Sequence, residues 1–285
     1  MLNFRAGLIV PLSALLISTS LAHAVRIEQD GNYSLYDNVL QSYVSADGLV
    51  DYAGLRANSA KDLSDVVSAL AKTNLGNMDY PEKLAFWINA YNANLLQIIV
   101  THPGVETLAK HPEFFDIPLA IAQGQYTLND IEHRVIRGKP NPNSGAGPIR
   151  GVTLEIFDPR VHFALNHGTI GGPRLQNLAY NSKNLEDSLR KNSSDFVASP
   201  QHLRAEKGRL IISRLMNQYS EDFANWGGPE AYLTRMVAVA DRPDAMELKR
   251  LLTTDYAKAE FVYDATVNDI IHAKTSRPKL MRSAK

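Results

Sequence analysis

The sequence predicts an α+β fold: a predominantly helical single domain with a small sheet or scattered short strands. Three observations lead there. Apolar residues recur at helical spacing over most of the chain. Alternating, extended stretches are short and far apart. No repeat, low-complexity tract or obvious linker divides the 285 residues.

The chain opens MLNFRAGLIVPLSALLISTSLAHA. Arg5, the apolar run Ala6–Ser18 and Ala22-His23-Ala24 occur in the order of a secretory signal, so residues 1–24 are expected to be cleaved after Ala24. The run is short for a membrane span, which needs about 20 apolar residues. Export to the periplasm or beyond is therefore expected, with no membrane span left after cleavage. Residues 25–272 then form the domain, and residues 273–285 a basic tail expected to be flexible.

Within the domain, "YSLYDNVLQSYV" carries a helical apolar stripe, and Asp47-Gly48 marks a turn before a short extended piece, Leu49–Tyr52. "NSAKDLSDVVSALAKT" reads as a helix with Leu63, Val66, Val67 and Leu70 on one face. The next helix starts at Pro81, stops at His102-Pro103 and is apolar on most sides, so it should be central. A hairpin around Gly124 precedes a helix that begins at Asn129 and closes at Gly138. "KPNPNSGAGPIRG" is a surface excursion or lid, and "VHFALN" alternates as a strand would. Helices come next over 184–197, 215–224, 229–240 and 245–252, with strands at "RLIIS" and "EFVYD".

Arg and Lys balance Asp and Glu at 30 each, which argues against nucleic acid as a partner. The absence of cysteine excludes thiol nucleophiles, thiolate metal sites and covalent haem attachment. Catalysis, if there is any, must use oxygen, imidazole or carboxylate groups.

His162 and His167 flank the stretch that could carry it. In a strand, His162, Ala164 and Asn166 share one face, and His167 precedes the turn "GTIGG". An imidazole beside glycine amides suits a general base next to an oxyanion pocket, with Gly168 and Thr169 in contact with a ligand. The same residues also suit a buried, hydrogen-bonded histidine beside a tight turn, and both readings stay open. Glu132 and His133 are neighbours on a helix, about 100° apart, so they should not face one partner together. No HExxH or HxH spacing sets His133 beside His162 or His167 as a metal ligand, and neither metal nor cofactor is expected. Asn89 and Asn92 share a helix face, either scaffolding loops or orienting a ligand. Asp264 either caps the next helix or serves as the acid that orients a histidine; the cap is preferred. No Gly-x-Ser-x-Gly elbow, P-loop or dinucleotide fingerprint is present.

Five phrases together resemble the DUF547 family of uncharacterised proteins: "DGLVDYAGL", "FWINAYNA", "YTLNDIEHRVIRG", "DPRVHFALNHGTIGGPRL" and "VYDATVND". They span nearly the whole domain. The resemblance implies no settled activity. It does imply that many relatives carry two cysteines in the loop where His167 and Gly172 stand here, so thiol-dependent roles do not transfer. Two functions are expected to compete. One is a ligand-binding or scaffold protein of the cell envelope, its partner a small molecule or an envelope component. The other is a hydrolase-like enzyme with His162 or His167 as base and Asp264 or Glu132 as orienting acid.

Overall fold

The computed structural model describes residues 33–272. The expected signal and the basic tail therefore lie outside the described residues. Helices and two small sheets form the α+β domain that the periodicity predicts.

Helix α1 (Ser34–Tyr43) packs on α2 (Tyr52–Asn58) and α3 (Ala60–Lys72), and both of these pack against α4 (Tyr80–Thr101). A reciprocal capping box starts α4: Asp79 Oδ1 accepts from Glu82 N at 2.9 Å, and Glu82 Oε2 accepts from Asp79 N at 2.9 Å. Every residue from Leu84 to Leu96 is buried, as an all-round apolar helix requires. Strands β1 (Leu119–Ile121) and β2 (Gly124–Tyr126) form the expected hairpin, turned by Ala122 and Gln123 at positive φ.

A second apolar cluster holds α5 (Leu185–Ala198), β3 (Leu203–Glu206), β4 (Arg209–Ser213), α6 (Leu215–Gln218), α7 (Gly228–Val239) and α8 (Ala245–Asp255). Strand β5 (Glu260–Val262) completes the sheet, parallel to β4, while β3 pairs antiparallel with β4. Among the described residues no helix is long and apolar enough to cross a membrane.

Two expectations need correction. "VHFALN" is not a strand: Pro159–Phe163 form a 3-10 turn, begun by Pro159 and by Asp158 Oδ1 accepting from Arg160 N at 2.9 Å. The alternation misled because both of its faces are buried, His162 and Asn166 included. The helix expected over 215–224 breaks at Tyr219 into α6 and a 3-10 turn, Ser220–Trp226. The Pro- and Gly-rich excursion runs over the surface as expected, fastened by Arg134 Nε donating to Gly147 O at 2.6 Å and Asn141 Nδ2 donating to Asp130 Oδ1 at 3.1 Å.

Beyond β5, residues 264–270 thread between three loops. Ile170 N and Gly171 N donate to Thr266 O and Asp264 O, and Leu108 N donates to Ala265 O. Val50 N donates to Asn268 O. This thread sets the Gly-rich loop in place.

Candidate functional site

Between the two apolar clusters lies a buried polar one. Asp130–Ile136 wind as a π-helix, with Arg137 N donating to Glu132 O at 3.1 Å. A π turn carries more residues than an α turn, so consecutive side chains diverge less. Glu132 and His133 therefore both enter the same interior, which the α-helical angle did not allow. The 3-10 turn at Pro159–Phe163 brings in His162, and the loop after it brings in His167. The broken helix at Tyr219 supplies Tyr219 and Asp222.

Asp222 Oδ2 accepts from Arg137 Nε at 2.6 Å and from His162 Nε2 at 2.8 Å. His162 stacks on Tyr219 with centroids 3.9 Å apart, and the Arg137 guanidinium lies 4.9 Å above the same ring. Arg137 Nη1 donates to His133 Nδ1 at 2.6 Å. Tyr219 donates its hydroxyl to Glu132 Oε1. The other oxygen, Glu132 Oε2, faces His167 Nε2 at 3.9 Å. His167 Nδ1 lies 3.4 Å from the Tyr263 hydroxyl, which is hydrogen-bonded to Thr169 Oγ1 at 2.7 Å.

The electrostatics follow from burial. Desolvation holds His133, His162 and His167 below the usual imidazole value, because each would have to charge out of water. A neutral His162 must carry its proton on Nε2, since a carboxylate can only accept. Burial pushes the Asp222 carboxyl up, but His162 and Arg137 outweigh it and hold the group at about 2. Glu132 is likewise pushed up by burial, and the facing His167 and His133 with the Tyr219 hydroxyl more than offset this. Burial raises the Tyr263 hydroxyl to about 12, so it stays protonated.

Asp264, expected as a possible orienting acid, has no place in this network. It is exposed, and its Oδ1 accepts from Thr266 N at 2.9 Å, an Asx turn in an extended stretch rather than the preferred helix cap. The orienting acid is Asp222, which the sequence reading missed. A signal for it existed: Tyr219, Asp222, Phe223 and Trp226 share one helical face, so an acid stood in an apolar stripe.

The asparagines are clamps. Asn89 brackets Tyr180, donating to its O at 2.7 Å and accepting from its N at 2.9 Å. Asn92 donates to Ala164 O at 3.0 Å and accepts from Asn166 N at 2.8 Å. Asn166 donates to Pro173 O at 2.6 Å and accepts from Gly168 N at 2.9 Å. Nor do the loop glycines offer free amides: Gly168 N goes to Asn166, Gly171 N to Asp264 O and Gly172 N to Thr169 O. Gly171 is glycine because a Cβ there would stand 2.4 Å from Asp264 N. The expected oxyanion pocket is therefore absent at these three amides.

Residues 75–197 match the model of a family described as a protein of unknown function, DUF547. This segment, residues 75–197, is assigned to the DUF547 domain family. No curated protein and no solved structure matches it. The matched segment contributes Glu132, His133, Arg137, His162 and His167 to the polar cluster, while Tyr219, Asp222 and Tyr263 come from beyond it.

The protein also has a cleft of about 490 Å³, bordered by the Thr169–Tyr263 hydroxyl pair. Its lining includes the loop from Thr169 to Arg174, Ser199 to His202, Arg204, Tyr263 and Asn268. Thr169 and Tyr263 are its link to the cluster; Glu132, His133, His162 and His167 do not line it. Among the described residues no group of three or more His, Asp or Glu is placed to hold a metal ion.

Proposed function

We propose that this protein is exported to the cell envelope and binds a small polar molecule in the cleft beside the Gly-rich loop. The observation that carries the reading is the cleft itself, with a volume in the range of small-molecule sites and a mixed polar and aromatic lining. The histidines support binding over chemistry. His162 is stacked and bonded to Asp222, and His133 accepts from Arg137. Export rests on the reading of residues 1–24, and mass spectrometry of the exported protein should find Val25 as the first residue.

A thermal-shift screen of the exported protein against metals, sugars and peptidoglycan fragments tests the binding reading, since a ligand of the folded state raises its stability by mass action. The expected result is a stabilising compound whose NMR shifts map to Ile170, Gln201 and Tyr263. Shifts that map elsewhere would overturn it.

A second reading, a hydrolase-like enzyme with His167 as base and Glu132 as orienting acid, is favoured by one observation. Glu132, His167 and Tyr263 form a contiguous path that ends at the cleft. Ester or amide hydrolysis lost in both His167→Ala and Tyr263→Phe would favour it over binding alone.

A further inference from the structure

Arg174 is a cation of the cleft with a loose partner. Its side chain keeps 31% exposure and reaches Asp195 Oδ2 at 3.4 Å, while Lys191 holds that same oxygen at 2.6 Å. A charge-assisted N–H···O contact is ordinarily about 2.7–2.9 Å. The stem of Arg174, in contrast, is pinned. Gly48 lies so close that a Cβ there would stand 2.2 Å from Arg174 Cγ and 3.0 Å from its Cα. Gly48 O in turn accepts from Asn268 Nδ2 at 3.1 Å, and Asn268 Oδ1 accepts from the Tyr52 hydroxyl at 2.7 Å. The guanidinium is thus presented from a fixed base.

His202 stands in the same lining. It is 6% exposed and stacked on Phe196 with centroids 4.3 Å apart and planes 7° apart. Its Nδ1 is buried without a hydrogen-bond partner among the described residues. Burial, and then the charge of Arg174, hold the imidazole down at about 3, so the ring is neutral. A bare buried lone pair costs less than an orphaned N–H. The proton therefore belongs on Nε2, which gives the lining a neutral donor beside a cation.

We propose that the cleft recognises a small molecule bearing a single carboxylate, held by Arg174 and by His202 Nε2–H. This rests on the binding reading above. The neighbouring charges set the limit of one. Asp47, Asp195 and Asp264 line the cleft with Arg174 and Arg204, and Arg204 Nε is bonded to Glu206 at 3.1 Å. Three carboxylates against two guanidiniums disfavour a dianion such as phosphate. One ligand carboxylate displaces Asp195 from Arg174 and leaves Asp195 with Lys191.

Calorimetry with acid and amide pairs tests this: N-acetylmuramic acid and D-alanyl-D-alanine, each against its own amide, at millimolar concentration. At least one acid should bind about tenfold or more tightly than its amide. Arg174→Gln should erase that preference, and His202→Phe, which keeps the stack and removes the donor, should weaken it. Asp195→Asn should strengthen acid binding by removing the competitor. An amide that binds as well as its acid overturns the carboxylate assignment and leaves the binding reading standing. If neither member of either pair binds, the carboxylate assignment falls; the screen then decides the binding reading by itself.

Discussion

Replacing Asp222 tests whether the histidine cluster braces the fold. Its carboxylate is 2% exposed, and one oxygen takes both Arg137 Nε at 2.6 Å and His162 Nε2 at 2.8 Å. Hydrogen bonds to a charged group contribute about 1.5–3 kcal/mol each, offset in part by the cost of burying the carboxylate. The groups that Asp222→Ala leaves behind decide the magnitude. Arg137, 13% exposed, keeps the Tyr219 ring and His133 beside it, neither of them an anion, and among the described residues it has no other ion pair. Breaking one side of a buried pair costs about 3–5 kcal/mol, and that loss is expected here. Asp222→Asn keeps the shape and one acceptor, so about 1–3 kcal/mol is expected. The depressed carboxyl gives an independent check: a fall from 3.8 to about 2 corresponds to roughly 2 kcal/mol. A depressed folded value stabilises above the unfolded one and is lost as pH falls through about 2. Urea unfolding at neutral pH should therefore show the full loss, and the gap between wild type and Asp222→Asn should narrow as pH drops below 3.8. A change under about 0.5 kcal/mol at neutral pH would refute the brace.

Acid should destabilise the protein early. His133, His162, His167 and His202 all lie below 6.5 in the folded state, so the unfolded chain binds more protons and stability, full above 6.5, falls as pH drops. Each contributes a slope of up to ~1.4 kcal/mol per pH unit; a flat urea midpoint between neutral pH and about 5 would contradict this. Gly171→Ala forces a Cβ to within 2.4 Å of Asp264 N and 2.7 Å of its O, and should cost about 1–3 kcal/mol. Hydrogen exchange at the Ile170 and Gly171 amides should quicken with it. Trp87 is fully buried between Phe86 and Tyr126, so Trp87→Ala should cost about 3–5 kcal/mol in denaturant unfolding. Trp87→Phe should cost much less, since the indole N–H has no hydrogen-bond partner among the described residues to lose. A Cβ on Gly172 would stand 3.2 Å from His167 Cβ, close to the roughly 3.5–4.5 Å of a disulfide. The pair His167→Cys and Gly172→Cys should therefore oxidise readily, and a thiol assay that finds both groups free under air would say otherwise.

The helices were legible because burial writes its period into the sequence. Leu63, Val66 and Leu70 repeat at helical spacing, and α4 is apolar on nearly every side. Strand β3 was not, since Leu203–Glu206 carries one buried residue and three that are not. His162 and Asn166 were legible as residues that matter and illegible in role. Alternation assumes that a polar residue seeks water, and here both are buried with their hydrogen bonds made inside. The misplacing of Asp264 has the same origin. An acid beside an aromatic at a strand end invites a catalytic reading, yet position along the chain says nothing about which carboxylate a fold will desolvate.

That desolvation divides the candidate residues into two sets with different physics. On the inner side, His162 and Arg137 are bonded to Asp222, and Glu132 to Tyr219, at hydrogen-bond distance. A change in any of them is felt first as stability. On the outer side, Arg174 and His202 have strong local constraints and incomplete partners, the condition under which a ligand adds interactions the protein does not already make. His167 lies between the sets, with Glu132 behind it and the Tyr263–Thr169 pair in front. If ligand binding depends on the inner cluster at all, the dependence must pass through those two hydroxyls. Tyr263→Phe removes the link without touching a charge but also alters the cleft lining, so coupling is read from a cycle: a binding defect in Glu132→Gln that disappears when Tyr263 is already Phe would show that the two sets communicate.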